Sequence, residues 1–303
     1  MRRLRTMSII LFIISVVMFG AYWFREKVVK DQTGPVFNIE STVLEASVKE
    51  DETALLRGLT ASDAGDGDVT DSIIVEAVSP FTGTGHRIIK YAAFDSDNHV
   101  THARRELAYT DYTGTRFKLS KPLTFALNAK NLLEGITAED CIDGDITGSI
   151  KMMSDDEIDT SHVGEYSARL KVTNSAGGVS YLPVTIEIYD SSVRYRGPQV
   201  TLSDYIVYVD RGAEFNEEDY IQSVTIESEE YSLVNSGGTY GARYVPSDAE
   251  DHTINYSDID IESDVDTDVT GCYEVNYSFE DTVNNTGTGT NRLYVVVTEG
   301  GAN

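Results

Sequence analysis

One stretch of sixteen residues occurs twice in this chain, 77 positions apart. Residues 55–70 read LLRGLTASDAGDGDVT, and residues 132–147 read LLEGITAEDCIDGDIT. An internal repeat of domain length predicts an array of similar modules, each with its own core. The length of 303 residues allows two or three domains, and the repeat favours three.

The predicted modules begin at similar patterns. Gly34, Gly114 and Gly197 are each followed by apolar residues three and five positions later, which is typical of a first strand. We therefore predict a cytoplasmic tip and anchor over residues 1–30 and modules over residues 31–112, 113–195 and 196–303.

A second shared pattern closes two modules. Residues 159–166 and 266–273 both read D-T-x-x-x-G-x-Y, and strict apolar alternation follows each tyrosine. Such alternation indicates a half-buried antiparallel strand, so the chain is predicted to be all-β, with three β-sandwiches in tandem after one N-terminal helix. Tyr166 and Tyr273 fit the tyrosine that fixes a corner in immunoglobulin-like sandwiches.

The repeated block, G-[LI]-T-A-x-D followed by D-G-D-[VI]-T, resembles the bacterial Ig-like domain of Gram-positive surface proteins that is named after a pesticidal crystal protein. The resemblance covers residues 34–111 and 114–190. Residues 209–221 share only part of the pattern, and the third module lacks the D-G-D block. The resemblance implies an extracellular, surface-associated module that serves as a spacer or binding domain and not as an enzyme.

Residues 7–24 carry no charge and are long enough to cross most of a bilayer as a helix. Arg2, Arg3 and Arg5 precede them, which favours an N-terminus inside and a single-pass anchor with the modules extracellular. A cleaved signal peptide is the alternative. It fits less well, because a cleavage site after Gly20 or Ala21 needs a small residue two positions earlier, where Met18 or Phe19 stands.

The net charge is −26, which disfavours nucleic acid and anionic headgroups as partners. Solubility of an exposed ectodomain explains this charge, and binding of a cation or a basic partner is the alternative. Cys141 and Cys272 lie in different modules, so we expect buried thiols and no disulfide. His99 and His102 are three apart, so on a strand they point to opposite faces and do not share a metal.

The repeated aspartates are the candidate metal ligands. They are Asp63, Asp66 and Asp68 in the first module and Asp140, Asp143 and Asp145 in the second. Clustered carboxylates in a glycine-containing loop suit calcium, although the spacing is not that of an EF-hand loop. The alternative, which we favour, is a tight turn in which aspartates bind the backbone and glycine takes a positive φ. We expect no other cofactor.

The third module is longer and contains ten of the 18 tyrosines. The extra length falls between Val224 and Ser263. Four tyrosines lie in or near it and would suit recognition of a protein or a carbohydrate if exposed, or would cover the module's own core if buried: Tyr231, Tyr240, Tyr244 and Tyr256.

Together these observations predict a membrane-anchored surface protein with an Ig-like stalk and a distal module that binds a surface partner or glycan in adhesion or recognition. A spacer or scaffold subunit of an envelope assembly is the alternative. A calcium-stiffened rod would be a variant of either. No nucleophile or zinc-protease pattern is present, so we expect no enzymatic activity.

Overall fold

The computed structural model describes residues 2–25, 33–194, 197–238, 240 and 252–299. Beyond one N-terminal helix, the described residues form mostly strands, so the predicted all-β class is confirmed. The chain divides into two compact units, Met1–Tyr112 and Thr113–Asn303. The boundary coincides with the predicted start of the second module.

The N-terminal helix is α1 (Arg2–Phe24). Its segment Arg5–Phe24 has a mean hydropathy of 2.2 and none of it is buried, so by length and composition it is able to cross a membrane. A signal sequence near an N-terminus has the same properties.

The first module has seven strands in two sheets. One sheet has the order β1-β3-β4 and the other β2-β7-β6-β5. The strands are β1 (Val36–Ile39), β2 (Val43–Ala46), β3 (Leu59–Asp63), β4 (Gly67–Asp68), β5 (Ile74–Val78), β6 (His86–Phe94) and β7 (Val100–Tyr109). β2 pairs in parallel with β7, and β6 pairs antiparallel with both β5 and β7.

The second module repeats this arrangement with sheets β11-β10-β8 and β12-β13-β14-β9. Its strands are β8 (Thr115–Leu119), β9 (Thr124–Ala126), β10 (Ile136–Asp140), β11 (Gly144–Asp145), β12 (Lys151–Met153), β13 (Gly164–Thr173) and β14 (Val179–Tyr189). A short helix, α2 (Ser191–Arg194), follows.

The third module has sheets β15-β17-β18-β19 and β16-β22-β21-β20. Its strands are β15 (Gln199–Leu202), β16 (Ile206–Asp210), β17 (Ile221–Ile226), β18 (Glu229–Val234), β19 (Thr253–Asn255), β20 (Asp260–Ser263), β21 (Gly271–Asp281) and β22 (Gly287–Thr298). β22 begins at Gly287, where it already pairs with Asp281 of β21. Gly289 is required there, since a Cβ atom would lie 2.1 Å from the carbonyl oxygen of Pro198.

Each pair of sheets encloses a core built from alternate residues of its strands, which makes each module a β-sandwich. In β13, Ala168, Leu170 and Val172 are buried, as the alternation predicts. In β21, Val275 and Tyr277 are fully buried by the same rule. Burial of one apolar face on each strand is the main force that holds the modules together.

Candidate functional site

The repeated aspartates form tight turns. Asp63 accepts hydrogen bonds from the backbone of Gly65 and Asp66, and Asp66 accepts two from Ser96, at 2.7 and 2.8 Å. Asp68 accepts from the backbone of Thr70, and Gly67 has a φ of 79°.

The second module uses its aspartates in the same way. Asp140 accepts from the backbone of Ile142 and Asp143, Asp143 accepts two bonds from Ser175, and Asp145 accepts from Thr147. Among the described residues, no three metal-ligating side chains come together as a metal site would require. The geometry is that of the turn, the second of the two alternatives.

The two turns differ at one buried atom. Asp140 is 2 % exposed, and its Oδ2 accepts hydrogen bonds from the Thr115 hydroxyl at 2.6 Å and from the Asn174 amide at 3.1 Å. Burial raises the pKa of Asp140, but the bonds led by Thr115 outweigh it and hold the pKa below its usual value. Asp63 is 7 % exposed, and its Oδ2 has no hydrogen-bond partner within the described part of the chain.

Asp95 stands in the first module where Asn174 stands in the second. Both begin a turn in which their Oδ1 accepts a backbone hydrogen bond at 2.7 Å from the residue four positions later, His99 or Gly178. In the first module, a carboxylate oxygen of Asp95 therefore replaces the Asn174 amide nitrogen that faces Asp140 in the second module. His99 compensates, because its Nδ1 lies 2.6 Å from Oδ2 of Asp95.

The histidines do not form a shared site. His99 pairs with Asp95, whereas Nδ1 of His102 lies 3.2 Å from Glu76. Cys141 and Cys272 are both free, as expected. Burial, assisted by Glu274, raises the pKa of the Cys272 thiol to about 12, so it is uncharged at neutral pH.

The structure places the predicted binding tyrosines mostly against the core of the third module. Tyr231 is 8 % exposed and does not present its ring to solvent. The half-buried Tyr240 packs edge-on against Phe279, with ring centroids 4.9 Å apart, and donates a hydrogen bond to Asp281 at 3.0 Å. Tyr256 is half-buried against the same core, and Tyr244 lies outside the described residues.

The two corner tyrosines bond to the backbone four residues upstream. The Tyr166 hydroxyl donates to the carbonyl of His162 at 3.2 Å, and the Tyr273 hydroxyl donates to the carbonyl of Val269 at 2.9 Å. This is the contact that a tyrosine corner makes.

Two other tyrosines join the third module to the second, within one compact unit. The hydroxyl of Tyr208 accepts a hydrogen bond from the backbone of Phe117 in the edge strand β8, at 2.7 Å. The hydroxyl of Tyr294 accepts from the backbone nitrogen of Thr185 at 2.9 Å and donates to its carbonyl at 3.1 Å. Both hydroxyls thus satisfy strand backbone groups of the second module. Burial raises the pKa of each tyrosine to about 12.

A network around Arg292 lies beside this contact. The Arg292 guanidinium donates to Asn276 at 2.7 Å and to Glu165 of the second module at 3.1 Å, and it lies 3.1 Å from Glu274. Burial opposes the charge of Arg292, but Glu274 and Glu165 outweigh burial and raise its pKa. Glu274 also accepts a hydrogen bond from the Thr185 hydroxyl.

These contacts border a cleft of about 420 Å³ between the second and third modules. Its floor is the outward face of β21 and β22, where Asn276 pairs with Arg292 and Ser278 pairs with Thr290. Its wall comes from the second module: Pro122, Leu123, Thr124, Glu165, Thr185 and Glu187. The volume lies within the range of small-molecule sites, roughly 300–1,000 Å³.

The sequence interpretation did not identify this cleft, although β22 carries a signal. Tyr294 and Val296 alternate with Leu293, Val295 and Val297, so the strand is apolar on both faces. Such a run is typical of a strand buried on both sides. The outward residues Tyr294 and Val296 pack against the core of the second module.

Comparisons with known proteins identify no family. No family model matches the chain. An uncharacterized 81.3 kDa protein of Acholeplasma phage L2 is 27% identical over 129 residues, which are 43% of this chain and 16% of that protein. The chain therefore spans about a sixth of the length of this curated relative.

Similar solved structures include the CBM51-2 and INT domains of Clostridium perfringens ZmpB, with CBM51-2 in complex with GlcNAc. They are 16% identical at a TM-score of 0.22, over 49% of this chain and 26% of that one. The lipoprotein BT2262 of Bacteroides thetaiotaomicron is 14% identical at a TM-score of 0.22, over 59% and 98%. At these TM-scores, neither likeness supports an argument about function.

Proposed function

We propose that this chain is a membrane-anchored extracellular protein that binds a partner at the cell surface through its second and third modules, without catalysis. The apolar helix α1 supplies the anchor, and the strongly acidic remainder suits an exposed ectodomain. The first module then serves as a spacer of the Ig-like type that the repeat resembles.

The observation that carries the proposal is the cleft between the second and third modules. Sites for ligands occur preferentially where two domains meet, because side chains from both can converge there. The cleft has this position, and the hydrogen bonds of Tyr208, Tyr294 and Arg292 hold its two sides together.

The test uses the full chain in lipid nanodiscs and measures its binding to intact cells and isolated cell envelopes. Thr290→Trp places a large ring on the cleft floor. Thr173→Trp is the matched control, because Thr173 is equally an exposed residue of an inner strand but does not line the cleft.

We expect Thr290→Trp to abolish binding and Thr173→Trp to leave it unchanged. Equal binding by both variants would refute the proposal and favour the spacer alternative. Protease treatment of intact cells tests the topology, since an extracellular ectodomain is degraded and a cytoplasmic one is protected.

A further inference from the structure

We propose that the cleft between the second and third modules binds an uncharged saccharide. This inference rests on the proposed function and names the ligand class of the same site. Three properties carry it: the hydroxyl and amide groups of the floor, the sign of the charge and the lack of a deep apolar anchor pocket among the lining residues.

The floor offers neutral hydrogen-bonding groups in a regular array. Asn276 and Ser278 lie on β21, and Thr288 and Thr290 lie on β22, with side chains on the same outward face. Hydroxyl and amide groups both donate and accept hydrogen bonds. A saccharide ring presents the same mixture, so it matches a floor that spaces such groups by strand pairing.

The charges exclude acidic ligands. Arg292 is the one basic residue among the described residues that line the cleft, and it is already bound to Glu165 and Glu274. With Glu165, Glu187 and Glu262 place three carboxylates in the lining. The resulting negative field repels phosphate, sulfate and carboxylate groups, so the saccharide carries none of them.

The apolar part of the lining fits a sugar better than a protein. Protein interfaces usually depend on large side chains that enter desolvated pockets. In the cleft, Leu123, Tyr277 and Tyr294 are buried in the modules themselves. Tyr205 is half-buried and supplies aromatic surface that can contact the C–H face of a sugar ring.

A neighbouring groove provides room for more than one sugar unit. It has a volume of about 560 Å³ and shares Glu262 and Asn276 with the cleft. Ser263 and Asp264 line its far side. An oligosaccharide chain can therefore extend from the cleft along β20 and β21.

The experiment presents the full chain in nanodiscs to a panel of uncharged oligosaccharides, acidic oligosaccharides and peptides, and repeats the binding with Thr290→Trp and Thr173→Trp. We expect an uncharged oligosaccharide to bind, with affinity at least tenfold weaker in Thr290→Trp and unchanged in Thr173→Trp. Raising the salt concentration from about 0.05 to 0.5 M should change the affinity less than twofold, because an uncharged ligand forms no ion pair with the protein that salt could screen. Unchanged thermal unfolding of Thr290→Trp would show that the fold is intact.

The outcomes separate the ligand class from the function. If a peptide or an acidic saccharide binds and Thr290→Trp abolishes it, the ligand class is wrong and the binding function stands. If the chain binds cells and Thr290→Trp abolishes that binding, but no saccharide of the panel binds, the ligand class is again wrong. If nothing binds in a way that Thr290→Trp alters, both proposals fail.

Discussion

Replacing Asn174 with Asp should strongly destabilise the second module at neutral pH. The Asn174 amide donates to Oδ2 of Asp140 at 3.1 Å, and both residues are buried. The substitution removes the donor and sets a second carboxylate against the first. In the first module Asp95 occupies the equivalent position, and there His99 pairs with it; the second module has no such histidine.

The expected cost follows from the distance. Two unit charges about 3 Å apart repel by about 5 kcal/mol at an effective dielectric constant of about 20. Uptake of a proton limits this cost, because neutralising one carboxyl at pH 7 requires about 1.4 kcal/mol for each pH unit above its usual pKa near 4, or roughly 4 kcal/mol. We therefore expect a loss of about 4 kcal/mol at pH 7.

The cost should shrink in acid. In the variant, the second carboxylate raises the pKa of the carboxyl pair in the folded state. Below about pH 4 the pair is protonated at little cost in the folded and the unfolded state, and the variant loses stability as the pH rises above that value. Near pH 4 a shared proton replaces the lost hydrogen bond, and we expect a cost of about 1 kcal/mol.

Hydrogen exchange of the β10 and β13 amides in the full chain measures this local stability, since a chain of several modules does not unfold in two states. Asn131→Asp is the matched control, because Asn131 is an exposed residue of the same module and should change stability by less than about 0.5 kcal/mol. Adding Gly178→His to Asn174→Asp supplies the imidazole that His99 supplies in the first module, and it should recover about 1–2 kcal/mol. A cost below about 1 kcal/mol at pH 7, or a cost independent of pH, would refute the reasoning.

Three further results are expected. Tyr294→Phe removes the hydroxyl that bonds to both backbone groups of Thr185, so exchange of that amide should accelerate by the equivalent of about 1–3 kcal/mol, whereas exchange within the first module stays unchanged. In urea unfolding, the midpoint of the third module's transition should be steady below about pH 9 and fall between about pH 9 and 12, because the pKa values of Cys272, Tyr208 and Tyr294 are raised to about 12 in the folded state; a flat profile would contradict this. Millimolar calcium should leave thermal unfolding unchanged, since the turn aspartates bind the backbone, and a clear rise in the midpoint would show a cation site.

The fold was predictable because strand alternation and the repeat depend on local pattern. Alternate burial in β13 and the positive φ of Gly67 and Gly144 follow from sequence by general rules. The unpartnered Oδ2 of Asp63 was not predictable, because it results from two differences at positions distant in sequence, Pro35 in place of Thr115 and Asp95 in place of Asn174.

The candidate site was missed for a related reason. A cleft between modules depends on which outward faces meet, and outward faces of antiparallel strands normally read as solvated. Arg292 is a charged residue on such a face, yet it is half-buried and bound to Glu165 of the second module. Only the apolar run in β22 marks the face as covered.

The abundance of tyrosine in the third module has a structural explanation that moves the search for the ligand. A tyrosine combines a large apolar ring with one polar atom, so it can fill a core and still satisfy a backbone group at its end. Tyr240 does this with the backbone N–H of Thr282, and Tyr208 and Tyr294 do it across the contact with the second module. Tyrosines whose hydroxyls already make such hydrogen bonds are poor ligand contacts, because a ligand would have to break hydrogen bonds that stabilise the second and third modules. The free hydrogen-bonding capacity of the unit lies instead in the small hydroxyl and amide side chains on the outward face of β21 and β22, which is where a saccharide can be held without disturbing the fold.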